Sequence, residues 1–291
     1  MEFTRLGDIT CELGESPLWD DRRQVLFFID ILAPAIHALR LDGSRAGSWP
    51  MPAVVGSIGL TESGRLIAAL KHDLVLFDPE SGALQPFAKL PPEEPAENRL
   101  NDGKVGPDGA FWVGTMHDVA DRQPIGALYR VAPDGGVTRH IEGLRVSNGL
   151  AFSPDASLMY HSDTRNFWLD RWDFSVDTGI IGNRVRLANF DGSIGLPDGG
   201  AMDADGIYWS AGAYAGRLNC YNAEGALVAW HAFPVPAPTM PCFCGPDLRM
   251  LAATSHRTGT VAAQLDRFPA SGGVFLADAP VAGSPAPRMP V

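Results

Sequence analysis

Along the chain, short apolar runs follow turn-forming tetrapeptides at a regular spacing. The tetrapeptides are Asp20-Asp21-Arg22-Arg23, Thr61-Glu62-Ser63-Gly64, Gly106-Pro107-Asp108-Gly109, Ser153-Pro154-Asp155-Ala156, Asp203-Ala204-Asp205-Gly206 and Gly245-Pro246-Asp247-Leu248. Pro, Asp and Gly in such positions favour tight reversal of the backbone. Each is followed by a β-prone run, such as Val25-Leu26-Phe27-Phe28-Ile29, Leu66-Ile67-Ala68-Ala69-Leu70 or Ile207-Tyr208-Trp209. A second turn then follows in most repeats, as at Asp78-Pro79-Glu80-Ser81-Gly82 and Pro133-Asp134-Gly135-Gly136. The period of about 40–50 residues is that of a four-stranded propeller blade. Six copies fill the chain. The pattern therefore predicts an all-β, six-bladed β-propeller around a central channel, forming one domain over 1–291. A strand near Gly272–Leu276 is expected to complete a blade with the N-terminal strand near Phe3–Ile9, and the tail from about 279 is expected to be irregular.

Composition narrows the function classes. Hydrophobic residues make up 45% of the chain, enough to build a core without disulfide or metal staples. A formal charge of −11 disfavours nucleic acid as a partner. No apolar stretch is long enough for a membrane span, and Met1–Arg5 shows no signal-peptide pattern, so a cytoplasmic, monomeric protein is expected. Cys11, Cys220, Cys242 and Cys244 lack paired C-x-x-C spacing and read as reduced, packed residues. The seven histidines show no H-x-H or H-E-x-x-H spacing. Asp191-Gly192-Ser193-Ile194-Gly195 does not match the G-x-S-x-G nucleophile elbow.

The first strand of each blade lines the channel, so equivalent repeat positions converge on one axis. Counting back from each first turn gives Glu15, Gly56, Asn101, Asn148, Asp198 and Met240. Asn-Gly and Asp-Gly are also ordinary turn signals, which is the plain alternative for these positions. Glu15 has no turn rationale, however, and the four oxygen-bearing residues share one register. Two carboxylates at close quarters raise a pKa unless a cation joins them. Oxygen-only donors suit one hard divalent ion such as calcium, magnesium or manganese, though zinc or ferrous iron is also accommodated.

Together with Gly14-Glu15-Ser16-Pro17-Leu18-Trp19, Asn98-Arg99-Leu100-Asn101-Asp102-Gly103-Lys104, Gly114-Thr115-Met116, Gly126-Ala127-Leu128-Tyr129, Ser147-Asn148-Gly149-Leu150, Pro197-Asp198-Gly199 and Gly272-Gly273-Val274-Phe275, these positions resemble the SMP-30/gluconolactonase/luciferin-regenerating-enzyme family from about Cys11 to Phe275. The resemblance implies hydrolysis of a sugar aldonolactone with one bound divalent metal, calcium foremost. It implies Glu15, Asn148 and Asp198 as metal ligands, and Arg99 and Asn101 as substrate contacts. Many members carry an acidic substrate contact shortly after G-T-M; Asp118 is the nearest candidate here, with its register open.

The expected mechanism has the metal acting as Lewis acid on the lactone and Asp198 serving as ligand and general base. Arg99 is expected to orient sugar hydroxyls, the alternative being a surface ion pair with Glu94 or Glu97. Asp102 reads as a turn cap, Trp112 and Trp209 as packing residues, and the acidic loop 91–97 as either a rim over the channel or a plain connection. Rival functions are a metal-dependent esterase or phosphotriesterase-like hydrolase, and a non-catalytic calcium-binding propeller.

Overall fold

A computed structural model describes all 291 residues of the chain. The strands form six sheets, which we number as blades in chain order. Blade 1 comprises Gly14–Asp20, Val25–Asp30, Ala35–Leu39 and Arg45–Pro50. Blade 2 comprises Val55–Thr61, Leu66–Leu70, Asp73–Phe77 and Leu84–Lys89. Blade 3 comprises Asn98–Val105, Phe111–His117, Gly126–Val131 and Val137–Leu144. Blade 4 comprises Ser147–Phe152, Leu158–Asp163, Trp168–Ser175 and Ile180–Asn189. Blade 5 comprises Leu196–Met202, Tyr208–Ala213, Arg217–Tyr221 and Leu227–Ala232. Blade 6 comprises Pro238–Cys244, Met250–Ser255, Val274–Asp278 and, from the other end of the chain, Thr4–Leu6.

Consecutive strands within each blade pair antiparallel, so every blade is a meander running outward from the channel. The expected ring closure is present: Arg5 pairs with Phe275 and Leu6 with Val274. The C-terminal tail is not wholly irregular. Arg288–Met289 adds to the inner strand of blade 2 in parallel, opposite Leu60 and Thr61. The Arg288 guanidinium bonds the Asp20 carboxylate at 2.7 Å and also reaches Asp21, fixing the tail against blade 1.

The apolar runs are continuous rather than alternating because each blade is covered on both faces by its neighbours. Six hydrophobic clusters result, one in each gap between blades. Phe27, Ile36, Ile58 and Leu66 fill the gap between blades 1 and 2, and Leu6, Trp19, Phe28 and Leu276 fill that between blades 6 and 1. Only the outermost strands show mostly exposed residues, as in Arg45–Pro50. Trp112 and Trp209 are buried packing residues, with indole N–H groups bonded to Asp108 (3.2 Å) and Asp203 (2.9 Å) in the preceding turns. All four cysteines are free thiols. No helix is long and apolar enough to cross a membrane.

Candidate functional site

Each of the six inner strands departs from regular pairing near its start. The register shifts between Glu15 and Leu18, Val55 and Ser57, Leu100 and Gly103, Asn148 and Ala151, Pro197 and Gly200, and Pro238 and Pro241. A β-bulge bends its strand and re-aims side chains. Here it occurs six times at one level of the channel, and it frees Glu15, Asn101, Asn148 and Asp198 from the alternating pattern. Gly149 adopts φ 67°, a left-handed conformation within the blade 4 bulge that favours glycine immediately after Asn148.

At this level the polar side chains form one connected set. The Asn148 amide donates from Nδ2 to Asp198 Oδ1 (2.8 Å) and to Thr164 Oγ1 (2.7 Å). Thr164 in turn donates to the carbonyl of Pro197 (2.7 Å), so blades 4 and 5 are joined beneath the two residues. Asn101 donates from Nδ2 to Asn148 Oδ1 (3.2 Å) and to the Ser147 carbonyl (2.9 Å). Its own Oδ1 accepts from Arg99 Nη1 at 2.7 Å. Arg99 also donates to the Leu100 carbonyl (3.0 Å), and its Nε lies 3.2 Å from Asp118 Oδ1.

Charge is concentrated here. Burial, then the neighbouring charges of Asp198 and Asp102, push the Glu15 carboxyl well above the usual range. Burial, then Asp102, raise Asp198 to about 8, against a lowering pull from Arg165. Asp102 is raised by burial and partly offset by Lys104, whose own pKa burial lowers. One Asp102 oxygen accepts from the Leu150 amide (3.1 Å), while Oδ1 is buried without a hydrogen-bond partner. Clustered carboxylates that resist ionisation, beside a buried oxygen without a partner, are a setting in which a cation would relieve the charge conflict. No group of three or more His, Cys, Asp or Glu side chains gathers in a metal-like cluster anywhere in the chain, so any ion here would need the Asn148 carboxamide as well as carboxylates. Two carboxylates and a carboxamide are an oxygen donor set, and they fit a hard divalent ion.

Of the residues singled out from sequence, Asn148, Asp198, Asn101, Arg99 and Asp118 are linked by direct contacts, and Glu15 sits within their electrostatic reach. One alternative falls away and one expectation needs correction. Arg99 is buried and faces Asp118, so it makes no surface pair with Glu94 or Glu97; Glu94 instead accepts from Asn98 Nδ2 (2.7 Å) and from the Tyr129 hydroxyl. Asp102 caps no turn: it lies in the blade 3 bulge, buried beside the site. Thr164, Lys104, Arg122 and Arg165 are additional neighbours whose positions follow from the folding of loops and bulges. Only Lys104, inside the Asn98–Lys104 motif, carried a sequence signal.

Past the bulges the channel widens into a cavity of about 730 Å³, lined by Leu18, Val105, Phe152, Met202 and Phe243 and closed by the tail at Gly283–Arg288. This half mixes apolar with polar lining residues, includes Ser16, Pro17 and Met240 from the bulges, and carries none of Glu15, Asn101, Asn148 and Asp198.

Comparison with known proteins agrees with this architecture. The family model described as SMP-30/Gluconolactonase/LRE-like region matches residues 13–257. A 6-deoxy-6-sulfogluconolactonase from Pseudomonas putida is 39% identical over 276 residues, covering 94% of each chain. A regucalcin from Xenopus laevis is 32% identical, covering 91% of this chain and 90% of its own. A solved regucalcin from Agrobacterium tumefaciens, described as a calcium-binding protein, superposes with a TM-score of 0.92 at 29% identity, covering 99% of this chain and 97% of its own. With a family match across most of its length and relatives above 30% identity along nearly the whole chain, this protein belongs to the SMP-30/gluconolactonase/LRE-like family.

Proposed function

We propose that the protein hydrolyses a sugar lactone to the open aldonic acid, using one divalent cation held by Glu15, Asn148 and Asp198. The observation that carries this reading is the continuous chain of contacts from Asp198 through Asn148 and Asn101 to Arg99 and Asp118, at one level of the channel. The 6-deoxy-6-sulfogluconolactonase relative supports the substrate class. The all-oxygen donor set and a relative described as calcium-binding support calcium as the first choice of ion.

When bound, such a cation supplies Lewis-acid polarisation of the lactone carbonyl. The chain's own residues do the rest. Asn148 occupies Asp198 Oδ1, which leaves the second carboxylate oxygen to accept a proton from the attacking water. Arg99 spends Nε on Asp118 and Nη1 on Asn101 and the Leu100 carbonyl, so Nη2 remains free for sugar hydroxyls and for negative charge developing on the carbonyl oxygen. Asn101 has both amide hydrogens engaged, which makes it the fixed bridge between the Arg99 side and the Asn148–Asp198 side. The acid–base groups therefore reach substrate already oriented.

The test is a panel of hexono- and pentonolactones, with a phosphotriester and an aryl ester alongside, assayed on metal-stripped protein with calcium, magnesium, manganese, zinc or ferrous iron restored in turn. Cation-dependent opening of a sugar lactone well above the other two ester classes is expected. Preference for the phosphotriester, or lactone turnover indifferent to cations, would overturn the reading.

A further inference from the structure

We propose that Tyr214 is the aromatic wall of the lactone site, its ring stacking against the C–H face of the bound sugar at the channel mouth. This rests on the lactonase reading and adds a specificity-determining residue to it.

Tyr214 opens the connection between the second and third strands of blade 5, Tyr208–Ala213 and Arg217–Tyr221. Strand pairing fixes where it stands. Pro197 pairs with Gly212 and Leu196 with Ala213, so Tyr214 comes next, at the end of the blade where Asp198 enters its bulge. The ring then reaches out of blade 5. It meets the imidazole of His256 edge-on, with centroids 5.4 Å apart and planes at 77°. His256 is buried at the end of the second strand of blade 6 and bridges to Leu13, two residues before Glu15. Its backbone amide donates to the Ala237 carbonyl (3.2 Å), just ahead of the inner strand Pro238–Cys244. Tyr214 therefore spans from the blade of Asp198 toward that of Glu15, across the entrance of blade 6. That blade carries Met240 in its bulge and contributes no polar side chain to the set.

Tyr214 bears a conformational cost that packing does not offset. Its φ of 70° lies in the left-handed region, where a bulky side chain is strained and glycine is not. Only two aromatic residues of the chain take positive φ, Phe167 and Tyr214. Phe167 backs onto the outer strand of blade 4, its carbonyl accepting from the Phe190 amide (2.8 Å). Tyr214 stands at the mouth instead, and it remains 47% exposed. Strain held at a half-exposed aromatic points to use by a ligand. Burial first, and then the charge of Asp198, raise the pKa of its hydroxyl, in keeping with a ring near that carboxylate.

A sugar ring offers hydroxyls at its rim and C–H bonds on its faces, so it suits an aromatic surface set opposite polar donors. Blade 6 lies across the ring of blades from blade 3, which carries Arg99. Arg99 and Tyr214 thus address a bound lactone from two sides, one through hydroxyls and the other through a ring face. The open aldonic acid has no ring face, so the wall favours substrate over product.

The experiment compares the cation-loaded full chain with Tyr214→Gly and Tyr214→Phe, on the sugar lactone best turned over in the panel and with the matching aldonic acid as inhibitor. Tyr214→Gly should raise KM about tenfold while the Ki of the acid changes less than about twofold. Its urea midpoint should equal or exceed that of the unaltered protein, because glycine relieves the left-handed strain. Tyr214→Phe keeps the aromatic face and should hold KM within about twofold. An unchanged KM in Tyr214→Gly, an equal rise in the Ki of the acid, or an equal loss in Tyr214→Phe would overturn the wall. A lowered urea midpoint in Tyr214→Gly would also overturn it, since the tyrosine would then serve packing. Failure of the unaltered protein to open any lactone would overturn the lactonase reading, and the wall with it.

Discussion

Blades 1, 3, 4 and 5 and blades 2 and 6 carry the same backbone device and put it to different uses. All six inner strands bulge at one level, yet the channel-facing residue is Glu15, Asn101, Asn148 or Asp198 in four blades and Gly56 or Met240 in the other two. Gly56 leaves room for its neighbour: a Cβ there would stand 2.4 Å from the carbonyl oxygen of Leu100. Met240 packs against Gly199, where an added Cβ would lie 2.4 Å from the methionine Cβ. The bulge is thus a property of the repeat, and the chemistry is a set of side chains placed on it. Two blades supply the packing that lets the other four crowd polar groups together.

The contrast can be broken from either side. The largest effect is expected from Asp198→Asn or Asn148→Ala, which should lower turnover roughly 10³-fold or more and release the cation while the urea unfolding transition stays cooperative. Arg99→Ala should lower kcat/KM about a hundredfold and leave cation affinity within a few fold, as measured by titration of the metal-stripped protein. Gly56→Ala, in a blade without ligands, should cost about 2–3 kcal/mol of stability by urea denaturation, because backbone rather than a flexible side chain stands in the way.

Acid offers a gentler probe of the blade 4 support. His161 is buried between Trp168 and Trp172, bonded through Nε2 to Ser147 Oγ (2.7 Å), with Nδ1 lacking a partner. Burial lowers its pKa from 6.5 to about 3. The unfolded chain takes up this proton first, so the contribution is fully present above about pH 6.5 and is lost as pH falls toward 3. Stability should decline by at most about 1.4 kcal/mol per pH unit across that window, and His161→Gln should flatten the slope of urea midpoint against pH. The smallest effect is expected from Met240→Leu, which keeps volume and should cost about 1 kcal/mol or less with cation binding unchanged.

Much of this arrangement was legible in the residues themselves. Continuous apolar runs such as Val25–Ile29 exposed the second strands, because strands covered on both faces need no alternation. The recurring turns supplied the register, and that register placed Glu15, Asn101, Asn148 and Asp198 at one level of the channel. The likeness of Gly272-Gly273-Val274-Phe275 to a strand also revealed the partner of the N-terminal segment. Other features were hidden for physical reasons. A bulge turns two successive residues out of the usual alternation, so Asp102 is drawn into the site beside Asn101 although its neighbours Asp102-Gly103 read as a turn. Thr164 and Arg122 lie on connections between strands, outside the repeat register, and they meet Asn148 and Asp118 only because the blades converge there. The short parallel pairing of Arg288–Met289 rests on contacts with Asp20 and Asp21 from the far end of the chain, which no local pattern encodes.

The most direct measurement is the number of divalent cations bound per chain after equilibrium dialysis, in the unaltered protein and in Glu15→Gln, Asn148→Ala, Asp198→Asn and Met240→Leu. We expect about one tightly bound ion in the unaltered protein and in Met240→Leu, and none in the other three, with affinity in the unaltered protein weakening as pH falls below about 8, where Asp198 takes up its proton. Full stoichiometric binding in any of the three ligand variants, or lactone hydrolysis by a protein that binds no cation, would contradict the account.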